Sequence, residues 1–244
     1  MTETTLGELS GQVAVVTGAA RGIGRAVAAR LAQMGATMLL VARSREQLEQ
    51  VQSEIAAGGG SSDPMPCDLR HPAAVAALGE AVRNRYGRCD ILVNNAGIGN
   101  QGRPLHELEV DDWDRLMETN LRGPFLMIRA LAPLMIEAEY GHIVNVSSLA
   151  GKNPLPNGAA YSASKWGLNG LTYSVAEELR PHNIRVSVVA PGSVNTHFAA
   201  GGVWAAKNPA TKIQPADIAA VVGMLVTQAP QSFISEVLVR PTKK

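Results

Sequence analysis

Six apolar runs constrain this chain more than anything else in it. VAVVT (13–17), ATMLLVA (36–42), DILVNN (90–95), HIVNVSS (142–148), IRVSVVA (184–190) and SEVLV (235–239) are hydrophobic without polar alternation, so each strand must be covered on both faces. Between them lie segments of helical length: RGIGRAVAARLAQMG, SREQLEQVQSEIAAGGG, HPAAVAALGEAVRNRYG, the stretch from Glu107 to Glu139, YSASKWGLNGLTYSVAEELR and PADIAAVVGMLVTQAP. Gly35, Gly58 to Gly60 and Gly87 stand where helices should stop. A further short strand is expected from Ser61 to Cys67, weakened by its two prolines. This repetition, with right-handed crossovers, predicts an α/β fold: a doubly wound parallel sheet with helices on both faces and ligands at the carboxyl ends of the strands.

The chain has 244 residues, enough for one large domain, and neither a linker nor an internal repeat divides residues 1–244. Its net charge is +1 with acids and bases interspersed, which argues against nucleic acid or an anionic membrane as partner. The opening MTETTLGELSGQ is polar and no run approaches the roughly 20 apolar residues of a membrane span. A cytoplasmic enzyme or binding protein is expected. Cys67 and Cys89 read as free, buried thiols, and His71, His106, His142, His182 and His197 are too scattered to hold a metal. The irregular stretch Gly192 to Gln214, carrying Phe198 and Trp204, reads as a lid or a disordered loop.

After the first strand comes TGAARGIG, with Gly18, Gly22 and Gly24 leading into a helix. Glycine lets backbone approach a pyrophosphate, and the helix's free N–H groups attract the anion; a tight turn without ligand is the alternative. The second strand ends in Ala42-Arg43-Ser44-Arg45, with no carboxylate to receive the ribose hydroxyls of NAD. Arg43, with Arg21 from the glycine loop, instead suits the extra phosphate of NADP(H), while Arg45 reads as the solvated start of a helix.

YSASK (161–165) places Tyr161 and Lys165 one helical turn apart, side chains roughly 6 Å from each other. The ammonium is expected to pull the phenol below its ordinary pKa of about 10 and make it a usable proton donor. A half-buried anchor beside a solvated lysine is the plain alternative.

TGAARGIG, NNAG (94–97), Asn120 in TNLRG, VSS (146–148), YSASK and PGSVNT (191–196) follow one another in the order and spacing of the short-chain dehydrogenase/reductase family, and the chain resembles it from about Gly11 to Ile218. The resemblance implies a Rossmann fold and catalytic roles for Asn120, Ser148, Tyr161 and Lys165. Tyr161 would be the general acid/base, Lys165 its partner and a ligand of the nicotinamide ribose. Ser148, thirteen residues before the tyrosine, would polarise the carbonyl, leaving Ser147 an ordinary polar residue. Asn120 would kink a helix and hold a water in a proton relay, with Gly123-Pro124 contributing to the distortion; from the residues alone, a cap or surface role serves equally.

For the cofactor the resemblance assigns Gly18, Arg21, Gly22, Ile23, Gly24, Arg43, Asp68, Leu69, Asn95, Ala96, Gly97, Tyr161, Lys165, Pro191, Gly192, Val194 and Thr196, with Asn94 structural. Asp68 would contact adenine, or cap the helix that begins near His71. Pro191-Gly192 could equally be a turn kept for geometry.

The implied activity is NADPH-dependent reduction of a ketone or 3-oxoacyl thioester, most similar to 3-oxoacyl-(acyl-carrier-protein) reductases. The tail SEVLVRPTKK lacks their usual glycine pair and Pro191 to Asp217 is short for them, which leaves general carbonyl reductases and hydroxy-acid or alcohol dehydrogenases as the alternative. Leu149, Leu155, Pro156, Phe198 and Trp204 are the expected pocket residues. No metal is implied; a homotetramer or homodimer is. A non-catalytic NADP(H) sensor would be expected to lose the tyrosine, lysine or serine that this chain keeps.

Overall fold

All residues of β1 (Val13–Thr17), β5 (Gly141–Val146) and β6 (Ile184–Pro191) are buried, the polar His142, Asn145, Arg185 and Ser187 among them. The computed structural model describes residues 7–99, 102–196, 198 and 211–242. With β2 (Thr37–Ala42), β3 (Ser61–Pro66), β4 (Ile91–Asn94) and β7 (Glu236–Val239) these strands make one parallel sheet ordered β3-β2-β1-β4-β5-β6-β7. Pro64 and Pro66 lie in β3, which pairs only with β2, so the amides they lack would face the open edge.

Helices α1 (Gly22–Gln33), α2 (Arg45–Ala57) and α7 (Pro215–Val226) cover one face, packing Leu31, Leu48 and Val222 against Val16 and Leu40. The other face carries α3 (Pro72–Tyr86), α5 (Gly123–Glu137) and α6 (Ala159–Leu179), with Leu78, Leu131 and Leu179 against Val15 and Ile143. Gly35 and Gly87 adopt positive φ just beyond α1 and α3, the conformation that stops a helix at lowest cost. No described helix is long and apolar enough to cross a membrane.

The stretch Glu107 to Glu139 is not one helix. It divides into α4 (Val110–Met117), a π-turn at Glu118–Arg122 and α5. The chain winds outward in both directions from β1 and β4, so the loops after these strands face each other across a crevice at the sheet's carboxyl edge.

Candidate active site

The loops after β1 to β6 meet at that edge. The first follows β1, where Gly18 has φ +66° and a Cβ on it would stand 2.8 Å from Asn95 Nδ2. A Cβ on Gly24 would be 2.2 Å from the Gly18 carbonyl oxygen. Neither position tolerates a side chain, so the loop keeps bare backbone in front of α1. No acid stands in the first turn of α1, and Arg21 caps it with backbone alone, leaving its positive end facing the loop. Arg21 and Arg43 are both exposed there. A glycine cradle, a helix N-terminus and two arginines fit a dinucleotide carrying an additional phosphate. Arg45 opens α2 and ion-pairs with Glu49 one turn on.

The loop after β4 is held to the first by Thr17, a residue the sequence did not single out. Its hydroxyl accepts from the amides of Asn95 and Ala96 at 3.0 Å each and donates to the Val93 carbonyl. Asn95 Nδ2 returns a bond to the Thr17 carbonyl at 2.9 Å. Asn94 points into a buried chain instead, donating to Asn145, which donates to Thr172 on α6. Asn94 and Asn145 interrupt otherwise apolar strands, a polar signal that could have revealed this network.

Asn120 lies fully buried inside the π-turn, excluding a surface role. Its amide donates to the Ile98 carbonyl (2.9 Å) and Ser164 Oγ (3.1 Å), and its oxygen accepts from the Ile98 amide (2.8 Å). Gly123 donates back to the Glu118 carbonyl five residues earlier, and Pro124 follows with no amide to donate. The wide turn thus presents Asn120 inward, beside Gly97: a Cβ there would be 3.2 Å from Asn120 Oδ1 and 3.8 Å from Lys165 Nζ.

Ser148 begins the loop after β5. Its hydroxyl accepts from the Ala150 amide and lies on the Tyr161 side of the loop, where it acts to lower the phenol's pKa. Tyr161 and Lys165 lie on α6, with Lys165 Nζ 5.9 Å from the Tyr161 ring centroid and donating to the Val146 carbonyl at 2.9 Å. Ser164, also missed in the sequence, donates to the Tyr161 carbonyl while accepting from Asn120. Ser147 is buried and bonded to the Lys165 carbonyl.

The electrostatics correct one expectation. Burial pushes the Tyr161 phenol up to about 12, against the lowering effect of the Ser148 hydroxyl, rather than below its ordinary value. The same burial pushes Lys165 down to about 8. Both charged forms lose water at this depth, and that desolvation is the largest influence on each.

Asp68, after β3, does not cap α3: the cap is His71, through backbone alone. Arg70 forks the Asp68 carboxylate, with one contact of 2.6 Å, and these hydrogen bonds hold it down to about 2. Leu69 is buried against Gly123. Beyond β6, Gly192 donates to Val239, and Thr196 lies against the glycine loop, 3.2 Å from where a Gly22 Cβ would be. Val194 pairs with Ile213, closing the base of the loop between them. Phe198 stands 6.0 Å from the Tyr161 ring, centroid to centroid. Trp204, His197 and most of the expected lid fall outside the described residues. Among the described residues no cluster of His, Cys, Asp or Glu could hold a metal ion.

The family described as short chain dehydrogenase matches residues 12–203. The chain is 39% identical over 191 residues to the 3beta-hydroxysteroid dehydrogenase of Mediterraneibacter gnavus, covering 78% of this chain and 69% of that protein. It is 40% identical over 188 residues to the 3-oxoacyl-[acyl-carrier-protein] reductase of Thermotoga maritima, covering 77% and 76%. A crystal structure of a metagenomic short-chain oxidoreductase in complex with NADP is 56% identical and superposes with a TM-score of 0.87, covering 97% of this chain and all of that one. The family match, the doubly wound sheet and the Ser148–Tyr161–Lys165 group at its carboxyl edge agree: this chain belongs to the short-chain dehydrogenase family, oxidoreductases that interconvert hydroxyl and carbonyl groups.

Proposed function

We propose that this protein reduces a ketone or a 3-oxoacyl thioester to the corresponding alcohol with NADPH. The observation that carries the reading is the convergence of Tyr161 and buried Lys165, whose Nζ is 5.9 Å from the ring centroid, with Ser148 just after β5 and buried Asn120 beside Gly97, at the sheet's carboxyl edge. In this reading Gly18, Gly22, Ile23 and Gly24 receive the pyrophosphate and Arg21 with Arg43 the additional phosphate. Asp68 and Leu69 flank the adenine, Asp68 sharing its carboxylate with Arg70. Asn95, Ala96 and Gly97 line the middle of the cofactor, Lys165 and Tyr161 hold its ribose, and Pro191, Gly192, Val194 and Thr196 border the nicotinamide. When bound, NADPH supplies a hydride equivalent.

The chain's own residues do the rest. The Ser148 hydroxyl donates to the substrate carbonyl oxygen where negative charge develops, and Tyr161 delivers the proton to that oxygen. Lys165 restores the proton through its ammonium, and Asn120 holds the π-turn against it. Phe198 and Leu149 make the substrate side apolar, as a ketone flanked by hydrocarbon requires.

Names of relatives support both a 3-oxoacyl thioester and a sterol-like alcohol as substrate classes. The tail RPTKK, lacking a glycine pair, favours a general carbonyl reductase or alcohol dehydrogenase as the second reading. Tyr161→Phe tests the common core: turnover of a ketone panel should vanish while NADPH binding, followed by nicotinamide fluorescence, persists. Retained turnover would remove Tyr161 as the acid.

The assembly belongs to the same proposal. Met117, Leu121, Phe125 and Leu171 line a hollow of about 500 Å³ across α4, α5 and α6, and Val110, Trp113 and Phe125 are exposed nearby. Apolar area of this kind suits a second copy of the chain, giving a homodimer or homotetramer. Light scattering at micromolar concentration should report a multiple of 25.7 kDa, and a monomeric mass would rule it out.

A further inference from the structure

The turn that follows Ser148 is lashed to α6 by side chains that perform no chemistry. Residues Leu149–Gly151 make a single 3-10 turn. Ser162 Oγ donates to the Ala150 carbonyl and Asn169 Nδ2 to the Gly151 carbonyl, each at 2.9 Å. The turn lies flush on the helix: a Cβ on Gly151 would stand 2.9 Å from the Lys165 carbonyl oxygen. At its far end Lys152 donates to the Tyr173 hydroxyl, its Nζ 5.0 Å from that ring's centroid. The same Nζ is 2.8 Å from Glu236 Oε1, both side chains being about three-quarters buried (26% and 24% exposed).

Lys152 therefore joins three elements, the Ser148 turn, α6 and the first residue of β7. The last residue of β7 closes the circuit. The Val239 carbonyl accepts from the Gly192 amide at 2.8 Å, and a Cβ on Gly192 would be 3.1 Å from Leu149 Cδ1, back on the same turn. β7 is a four-residue edge strand with no residue fully buried, so a fixed charge pair at its start has more influence than it would in the sheet's centre.

We propose that Lys152 is a positioning residue for the reduction: by bridging Tyr173 and Glu236 it sets the separation between Ser148 on its turn and Tyr161 on α6. This inference rests on the catalytic roles given above to Ser148 and Tyr161. Two donors that must both reach one carbonyl oxygen lose rate steeply with misplacement, a displacement of about 1 Å costing on the order of a hundredfold. Ser162 and Asn169 fix the turn along the helix, while Lys152 resists its lifting away toward solvent.

The test uses the full chain with NADPH and a ketone that the wild type turns over. Lys152→Met keeps the hydrocarbon stem and removes the charge. It should lower kcat by about ten- to a hundredfold with unchanged NADPH affinity. The primary isotope effect from 4-deuterated NADPH should rise as the chemical step becomes slowest, and Lys152→Arg should restore most of the rate. A merely structural lysine would lower the melting temperature without moving kcat or the isotope effect, which overturns the proposal. Should Lys152→Met not fold, Tyr173→Phe and Glu236→Gln each sever one arm and should each give a partial loss; wild-type kcat in both overturns it equally. Tyr161→Phe run in parallel separates the two readings. An active Tyr161→Phe defeats the assigned chemistry, whereas an inactive one beside an undisturbed Lys152→Met defeats only the bridge.

Discussion

Lys165 has 4% of its surface exposed and donates to the Val146 carbonyl, a setting in which its ammonium exists at the expense of hydration. With its pKa down at about 8, it carries charge below that pH and loses it above. Because kcat/KM reports the free enzyme, the reductive profile should fall as pH rises through about 8, with one proton lost. A profile flat to about pH 10, the ordinary lysine range, would show that Lys165 does not titrate in the working enzyme. The Tyr161–Lys165 spacing was legible because four residues in a helix fix neighbours locally. The direction of the tyrosine's pKa was not, because depth of burial depends on β5, the Ser148 turn and Phe198 arriving from elsewhere in the chain. Asp68 carries the same lesson: Arg70 stands two residues away in sequence, yet whether it forks the carboxylate or reaches for solvent depends on the path of the loop after β3.

Among the elements, the π-turn at Glu118–Arg122 does what neither flanking helix could. An uninterrupted α-helix would carry Asn120 on a different bearing, and the extra residue in the turn swings it toward Ile98. Asn120→Ala removes three hydrogen bonds at a fully buried position and leaves the Ile98 amide and carbonyl to find other partners. We expect a loss of about 1–3 kcal/mol in urea unfolding, with the rate of carbonyl reduction falling as the loop bearing Gly97 shifts. A variant as stable and as active as wild type would show that the turn holds itself. The strands were readable end to end because buried parallel strands leave continuous apolar runs, and even the proline-bearing β3 fell where expected, from Ser61. The division of Glu107 to Glu139 was not readable: its cause is a bond pattern around Gly123-Pro124, which composition reports only as a possible distortion.

On the scale of the whole molecule, the sheet's amino edge holds a buried titratable group that takes no part in the chemistry at its carboxyl edge. His142, near the start of β5, is 1% exposed and shares a 2.9 Å hydrogen bond with Ser187 Oγ. Ser187 donates its own proton to the Ile234 carbonyl, so the imidazole donates from Nε2. Its Nδ1 has no hydrogen-bond partner among the described residues, and burial, reinforced by Arg185, pushes the pKa down from 6.5 to about 3. The unfolded chain takes up a proton below 6.5 that the folded chain refuses until about 3. Stability from this residue is complete above 6.5 and is lost as pH falls across that interval, with a slope approaching about 1.4 kcal/mol per pH unit. Asp68, held at about 2 against an ordinary 3.8, contributes in a lower window that overlaps the first only near its acid end, lost as pH falls through both values. His142→Gln keeps an amide donor for Ser187 and cannot titrate. Chemical denaturation from pH 7 to 4 should give a shallower decline in the variant than in wild type, with reduction of the ketone at pH 7 unchanged because the site lies at the far ends of the strands. Equal slopes would show that another group governs acid unfolding, and a slowed reduction would show that the two edges are coupled through β5.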